Sequence, residues 1–159
     1  MSEYDVIIVG NGPAGLSAAL YTSRAGLSTL VIGKDQGALA KAERIENYFG
    51  MAEPISGCEL VENTKIQARN LGADLVTDEI FHISWNQGFT LEGRAGSYQA
   101  KAVLLATGSA RKKADIDGIS RLEGHGVSYC AICDAFFYRG RKVAVLGNET
   151  YGAKMQLDI

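Results

Sequence analysis

The sequence predicts an α/β protein in which a parallel α/β unit with a β-meander is followed by the beginning of a second α/β unit. Three observations predict it. The apolar run at residues 4–9 leads through a glycine-rich turn into a helical stretch. Short alternating segments fill residues 79–100, as in a meander of antiparallel strands. The pattern of residues 143–147 then repeats that of residues 6–10, which indicates a second strand followed by a glycine turn.

Composition excludes several classes of function. The chain has 159 residues, 47% of them hydrophobic and 21% charged, which is typical of a globular domain. A formal net charge of -2 without a long basic run argues against a nucleic-acid partner. No apolar run approaches the length of a membrane span, and Glu3 and Asp5 stand where a signal peptide would be basic. We therefore expect a cytoplasmic protein with no membrane association.

The elements of the first unit follow from hydrophobic spacing and from glycine positions. The predicted strands and helices are strand Tyr4–Val9, helix Pro13–Ala25, strand Ser28–Ile32, helix Gly57–Leu71 and strand Ala73–Val76. Residues 33–50 form a long irregular loop, and loops of that length in compact domains are usually functional. The meander strands are Ile80–Trp85, Phe89–Leu91 and Tyr98–Ala100, and a buried strand returns at Ala102–Ala106.

A polar, turn-rich connection marks the predicted domain boundary. Residues 1–115 form the first domain, and residues 116–159 form a second domain with a strand at Lys142–Leu146. One strand and one turn of helix cannot bury a core, so we expect the second domain to be incomplete.

The first chemical motif is Gly10-x-Gly12-x-x-Gly15, which follows a strand and opens a helix. In this Rossmann-like context Gly10 permits the tight turn, Gly12 lets the backbone approach a pyrophosphate, and Gly15 lets helix and strand pack closely. Pro13 suits the first helical turn because its missing N–H is not needed there. The motif predicts dinucleotide binding, and a purely structural turn is the alternative.

The acidic residue that usually ends the second strand of such a unit is absent. Gly33 and Lys34 occupy that position, and Asp35 follows. We expect the ribose hydroxyls to find another partner, either Asp35 or a backbone group.

The second motif is the pair Cys130 and Cys133, followed directly by Asp134. Two intervening residues let the sulfurs form a reversible disulfide, so the pair predicts redox chemistry. The alternatives are zinc, which would need a second pair of ligands, and a structural pair of thiols. Asp134 is a candidate proton donor to a departing thiolate, or a carboxylate that only complements a helix dipole.

Four segments together resemble the low-molecular-weight thioredoxin reductases in order and spacing. They are Val9–Leu16 (VGNGPAGL), Glu46–Gly50 (ENYFG), Ala106–Gly108 (ATG) and Gly126–Asp134 (GVSYCAICD). The resemblance covers the whole chain and implies an FAD-dependent disulfide oxidoreductase. It also implies that the FAD-binding domain, residues 1–115, lacks its C-terminal part. It implies that FAD is bound by Gly10, Gly12, Pro13, Ala14, Gly15, Gly33, Lys34, Asp35, Asn47, Ala106, Thr107 and Gly108.

The same resemblance implies the roles of the redox residues. Cys133 would face the flavin, Cys130 would attack the disulfide of thioredoxin, and Asp134 would be the acid. A homodimer is expected by analogy with the family. Phe136 and Phe137 are expected in the core, with a docking surface for thioredoxin as the alternative.

The electron donor is indicated by a departure in the second glycine motif. After the strand ending at Leu146, Glu149 stands where the family has its middle glycine, and a carboxylate opposes an approaching pyrophosphate. This resembles the ferredoxin-dependent branch, so reduced ferredoxin is the expected donor and NADPH the alternative. A non-catalytic flavin-binding or redox-sensing module, or an inactive fragment, is the alternative of another class.

Overall fold

The computed structural model describes residues 3–109, 114–130 and 134–147. Contacts within the chain divide it into two compact units, Met1–Arg111 (unit 1) and Lys112–Ile159 (unit 2). The domain boundary expected after residue 115 stays a prediction. In the described ranges no helix is long and apolar enough to cross a membrane.

Unit 1 is built on a six-stranded mixed sheet, which confirms the predicted Rossmann-like α/β fold. Strand β1 is parallel to both β2 and β6, and β3 is parallel to β2, whereas β5 runs antiparallel to β4 and β6. The strand order is β3-β2-β1-β6-β5-β4. The strands are β1 Glu3–Val9, β2 Thr29–Gly33, β3 Asp74–Thr77, β4 Ile80–Trp85, β5 Phe89–Gly93 and β6 Ser97–Leu105.

Two helices pack on the sheet, α1 (Pro13–Arg24) and α2 (Gly57–Asn70). Helix α2 begins after Ser56, whose hydroxyl accepts a hydrogen bond from the Glu59 N–H at 3.2 Å and so satisfies one free donor of the helix end. All five residues of β2 are buried, as expected for a central parallel strand. One core cluster contains Ile8, Leu16, Ala19, Val31, Val61, Ala68 and Ala73, and the other contains Ile7, Leu30, Ile32, Leu91 and Ala100.

Strand β6 differs from the prediction because it is continuous. The sequence predicts two strands with a break near Lys101, yet residues 97–100 pair with β5 and residues 99–105 pair with β1 in a single strand. Lys101 is tolerated because its Nζ lies 2.7 Å from the Asp5 carboxylate at the surface. The return strand is also less buried than expected, since Leu105 is 67% exposed.

Asp78, in the turn between β3 and β4, anchors the meander. The Tyr98 hydroxyl donates to its carboxylate at 2.8 Å, and the N–H groups of Glu79 and Ala95 donate at 2.8 and 3.1 Å. Burial alone would raise the pKa of Asp78, but these hydrogen bonds outweigh it and hold the pKa below its ordinary value. Burial and the bond to Asp78 raise the pKa of Tyr98 to about 12.

Unit 2 contains no regular strand in residues 114–130 and 134–147. It has two short 3₁₀ turns, Ile119–Arg121 and Ala135–Tyr138. The strand predicted at residues 142–146 is not formed, because an apolar run needs a neighbouring strand and the described part of this unit offers none. The core positions predicted for Phe136 and Phe137 are wrong, since these rings are 68% and 45% exposed.

Candidate functional site

The glycine turn lies where the carboxyl ends of three parallel strands meet. The Gly10 N–H donates to the Ile32 carbonyl at 2.7 Å, and the Ala106 N–H donates to the Val9 carbonyl at 2.8 Å. Gly10 has a φ of +118°, and a Cβ on it would lie 2.0 Å from the Ala106 carbonyl oxygen. The structure therefore brings the turn together with Ala106 and Thr107 at the edge where open α/β sheets bind ligands.

Gly15 is required by the packing of helix α1 on the sheet. A Cβ on Gly15 would lie 1.8 Å from the Gly10 carbonyl oxygen and 3.2 Å from a methyl carbon of Ile8. The overlap with backbone could not be relieved by a side-chain rotation. The fold itself thus accounts for the glycines at positions 10 and 15.

Gly12 is different, because neither packing nor backbone conformation requires a glycine there. A Cβ on Gly12 would meet no atom within 4 Å. Its φ of -78° and ψ of -174° are available to any residue. The space in front of Gly12 is thus free for the close approach of another molecule.

The start of helix α1 offers unpaired N–H donors beside Gly12. Pro13 occupies the first turn, Ala14 is exposed, and no side chain of the described chain caps the helix end. The first turn also contains no acidic residue. Free N–H groups together with the positive end of the helix dipole make this end suited to a phosphate.

The Asn11 side chain lies over the end of β2, where an acid is usual. A Cβ on Gly33 would lie 2.2 Å from the Cγ atom of Asn11, whose amide fills the space over this position. A residue larger than glycine would require the Asn11 side chain to rotate away. The sequence shows that the acid is missing, and the structure shows that the Asn11 amide lies in this space.

The residues after Gly33 are held by polar contacts of their own. The Asp35 carboxylate accepts a hydrogen bond from the Gly37 N–H at 2.7 Å. The Lys34 ammonium lies 3.3 Å from the Glu79 carboxylate, which also pairs with Arg94 at 2.8 Å. Lys34, Glu79 and Arg94 line an open cavity of about 380 Å³. Sequence reasoning missed Glu79, because 45 residues separate it from Lys34 and no local motif connects them.

The long loop lies alongside the first turns of α1. Gly37 is close to Gly12, since a Cβ on Gly37 would lie 3.8 Å from the Gly12 Cα atom. Tyr48, with Pro13 and Leu16, lines a second cavity of about 240 Å³ between the loop and the helices. Asn47 is exposed, and its role in binding stays a prediction.

In unit 2, Cys130 is disulfide-bonded. Cys133 lies outside the described residues, as does Glu149, so the Cys130–Cys133 pairing stays a prediction. The Asp134 N–H donates to the Cys130 carbonyl at 3.1 Å, and the Asp134 carboxylate accepts a hydrogen bond from the Ser128 hydroxyl. The Cys130 N–H donates to the same hydroxyl oxygen at 3.1 Å. Sequence reasoning missed Ser128, although it lies two residues before Cys130.

Cys58, by contrast, is a free thiol in the first turn of α2, with its sulfur 3.7 Å from the Gln36 side-chain oxygen. It belongs to unit 1, whereas Cys130 and Asp134 belong to unit 2. The predicted cofactor residues all lie in unit 1, and the predicted catalytic residues all lie in unit 2.

These features combine an α/β sheet, a glycine-rich turn beside an uncapped helix start, and a disulfide at Cys130. The family model described as pyridine nucleotide-disulphide oxidoreductase matches residues 4–154, and the chain belongs to that family. Proteins of the family and the thioredoxin reductases within it bind FAD. The open space at Gly12 and the uncapped helix start fit such a dinucleotide.

Within the family, the chain is similar to bacterial thioredoxin reductases. It is 48% identical over 149 residues to that of Treponema pallidum, covering 92% of this chain and 48% of the relative. It is 44% identical over 154 residues to the thioredoxin reductase of Bacillus subtilis, covering 92% of this chain and 48% of that relative. The solved atypical thioredoxin reductase TRi of Desulfovibrio vulgaris Hildenborough is 45% identical, with a TM-score of 0.64 over 99% of this chain and 53% of that one. The chain spans about half the length of the curated relatives it matches.

Proposed function

We propose that this chain is the flavin-binding and disulfide-bearing part of a thioredoxin reductase that passes electrons through Cys130 and Cys133 to thioredoxin. The observation that carries the proposal is the disulfide at Cys130, whose backbone is hydrogen-bonded to the candidate acid Asp134. The named relatives, which are thioredoxin reductases, support it.

In this proposal the cofactor residues bind and orient FAD. Gly12 admits the pyrophosphate, and the N–H groups at the start of α1 donate to it. Gly33 and Asn11 leave no acid for the ribose, so Glu79 or Asp35 supplies a carboxylate at this end of the site. When bound, FAD supplies the electron pair that reduces the disulfide. The other proposed contacts are made by Gly10, Pro13, Ala14, Gly15, Lys34, Asn47, Ala106, Thr107 and Gly108.

The protein's own part in the redox step concerns two sulfurs and one carboxyl group. Reduction of the Cys130–Cys133 disulfide takes up two electrons and two protons and gives two thiols. The Cys130 thiol loses its proton and, as the thiolate, attacks one sulfur of thioredoxin, whose S–S bond breaks to leave a mixed disulfide. Cys133 then loses its proton and attacks the Cys130 sulfur, so reduced thioredoxin leaves and the Cys130–Cys133 disulfide forms again. Asp134 gives a proton to the departing thiolate, which otherwise leaves as an unstable anion.

The exposed aromatic side chains after the redox motif support a protein acceptor. Phe136 and Phe137 lie 6.0 Å apart between ring centroids, and the Arg139 guanidinium lies 5.6 Å from the Phe136 ring centre. Rigid aromatic side chains with a neighbouring arginine are typical of protein-binding hot spots. We assign this group to the docking of thioredoxin. The homodimer stays a prediction.

A glycine comparison tests the cofactor site. Gly12→Ala is expected to weaken FAD binding about tenfold or more, since a methyl group would meet the approaching pyrophosphate. The free energy of unfolding should change by about 1 kcal/mol or less, because that methyl touches no protein atom. FAD titration followed by quenching of flavin fluorescence measures the affinity.

Gly96→Ala is the matched control for this experiment. Gly96 also has open space around it and lies in the turn between β5 and β6. We expect it to bind FAD like the wild type. Unchanged affinity in Gly12→Ala would contradict the proposed site.

A cysteine comparison tests the redox step in the whole protein. Cys133→Ser should keep bound FAD and lose reduction of thioredoxin, because a single thiol cannot release a mixed disulfide. Cys58→Ser should keep both, since Cys58 is a free thiol in the other unit. Full thioredoxin reduction by Cys133→Ser would refute the assignment.

For the electron donor we propose reduced ferredoxin, on the ground that Glu149 replaces the middle glycine of the second motif. In the anaerobic whole protein, reduced ferredoxin should bleach the flavin absorbance and NADPH should not. Rapid bleaching by NADPH would instead assign NADPH as the donor.

A further inference from the structure

The Ser128 side chain connects the disulfide-bonded cysteine with the candidate acid. Its oxygen accepts a hydrogen bond from the Cys130 N–H at 3.1 Å, and its hydroxyl donates to the Asp134 carboxylate. We propose that Ser128 is a positioning residue that holds the Asp134 carboxyl group in place for proton transfer to the departing thiolate. This inference rests on the proposed function of Asp134.

The Ser128 hydroxyl has one hydrogen to donate and two possible acceptors. The Ser128 oxygen also lies 3.3 Å from the Cys130 carbonyl oxygen, but one hydrogen cannot serve both. The Asp134 carboxyl oxygen is the nearer of the two acceptors, so it takes this hydrogen. The Cys130 carbonyl already accepts from the Asp134 N–H at 3.1 Å. The hydrogen bonds therefore run from the Cys130 N–H through the Ser128 hydroxyl to the Asp134 carboxylate.

The two connections between Cys130 and Asp134 hold the acid at both ends. The backbone bond fixes the N–H of Asp134, and Ser128 fixes its carboxylate. Without the hydroxyl the Asp134 carboxyl group could rotate about its side-chain torsions and lose the orientation that the Ser128 hydrogen bond gives it. The three residues are each partly buried in unit 2, so water competes only partly for these bonds.

A purely structural role for Ser128 predicts a different behaviour. The bond from the Cys130 N–H to the hydroxyl oxygen is an ordinary serine turn, which stabilises the loop by itself. In that case loss of the hydroxyl would affect stability and nothing else. A positioning role requires that the effect of Ser128 disappear once Asp134 can no longer give a proton.

Reduction of the oxidised chain by dithiothreitol, without FAD or thioredoxin, tests the proposal. A dithiothreitol thiolate attacks one sulfur and the S–S bond breaks. The departing sulfur keeps the bonding electron pair and takes a proton from the protonated form of the Asp134 carboxyl group, which then takes up a proton from water. Dithiothreitol is oxidised by two electrons and the disulfide is reduced by two. The rate constant is measured from pH 5 to pH 8 in the full chain by alkylation and mass spectrometry of each cysteine peptide.

We expect Ser128→Ala to slow this reduction about tenfold, a fraction of what a general acid contributes. Asp134→Asn should lose at least as much, with the same change in the pH profile. The double variant should be no slower than Asp134→Asn, and Ser128→Thr should restore the wild-type profile by keeping the hydroxyl. Alkylation of Cys58 should be unchanged in every variant, which controls for loss of the fold.

A wild-type rate and pH profile in Ser128→Ala would overturn the proposal. So would losses that simply multiply in the double variant, because independent effects add in free energy. Failure of FAD to bind would count against the proposed function alone, since no flavin takes part in this assay.

Discussion

The two units of the chain differ in what holds their backbone in place. In unit 1, each strand of the sheet has a partner, and two clusters of fully buried side chains lie on the sheet. In the described part of unit 2, no side chain is buried, and the backbone hydrogen bonds join residues no more than five positions apart. Both units nevertheless contain short apolar runs of similar composition in their sequence.

The difference shows that an apolar run becomes a strand only where neighbours can pair with it. Residues 6–9 and residues 143–146 have nearly the same pattern, but the first lie between β2 and β6 while the second have no partner in the described chain. We therefore expect truncation of a buried apolar side chain in unit 1 to change stability, and the same truncation in the described part of unit 2 to change it little.

The largest expected effect comes from Gly15→Ala. Its Cβ would overlap the Gly10 carbonyl oxygen at 1.8 Å, so α1 would have to move off the sheet. We expect a loss of about 4 kcal/mol or more in the free energy of unfolding. Urea denaturation followed by circular dichroism measures it. A variant as stable as wild type would mean that α1 does not depend on this contact.

The comparison between the units is tested directly by Leu30→Ala and Leu146→Ala. Leu30 is 1% exposed in β2, so its truncation should cost about 2–5 kcal/mol. Leu146 is 73% exposed in unit 2, so the same change should alter stability by less than about 0.5 kcal/mol. Equal losses in urea denaturation of the two variants would contradict the difference between the units.

The hydrogen bond between Tyr98 and Asp78 predicts a smaller effect that depends on pH. The folded-state pKa of Asp78 is lowered, so its contribution to stability is present above pH ~4 and is lost as pH falls through the folded pKa. The folded-state pKa of Tyr98 is raised to about 12. Its contribution to stability is therefore fully present below pH ~10 and is lost as pH rises from there through the folded-state pKa.

Tyr98→Phe should therefore make the free energy of unfolding depend less on pH at both the acidic and the alkaline end. The effect should be smaller than that of Leu30→Ala. Denaturation midpoints between pH 2.5 and pH 11 check this, and Tyr4→Phe serves as a control for a different tyrosine–aspartate bond, that to Asp74. An acid limb unchanged in Tyr98→Phe would show that the backbone donors alone hold Asp78.

The smallest expected effect is that of Phe136→Ala. The Phe136 ring is 68% exposed, so the free energy of unfolding should change by less than about 0.5 kcal/mol. Reduction of thioredoxin by the whole protein should nevertheless weaken through a higher KM. A large loss of stability would place this ring in a core after all.

Much of unit 1 could be predicted because its signals are local. The strands β1 and β2 and the helices α1 and α2 follow from apolar spacing with Gly26 and Gly72 as stops, and each prediction agrees with the structure to within a residue or two. The continuous strand β6 could not be predicted, because Lys101 interrupts the apolar pattern and its partner Asp5 is 96 residues away.

The candidate functional site also has features that the sequence predicts and features that only the structure shows. The glycine motif was visible in the sequence, but only the structure separates Gly10 and Gly15, which the fold requires, from Gly12, which it does not. Two features of the site depend on contacts between distant segments. They are the Asn11 side chain that lies over Gly33, and the ion pair of Glu79 with Lys34.

The sequence by itself determined the α/β class and the family, and it predicted the redox and cofactor residues, because these follow from spacing within short segments. Tertiary structure decided which apolar runs became strands, which glycines leave room for a ligand and which hydroxyl holds Asp134. Those outcomes depend on which atoms meet in space, and spacing along the chain does not determine that.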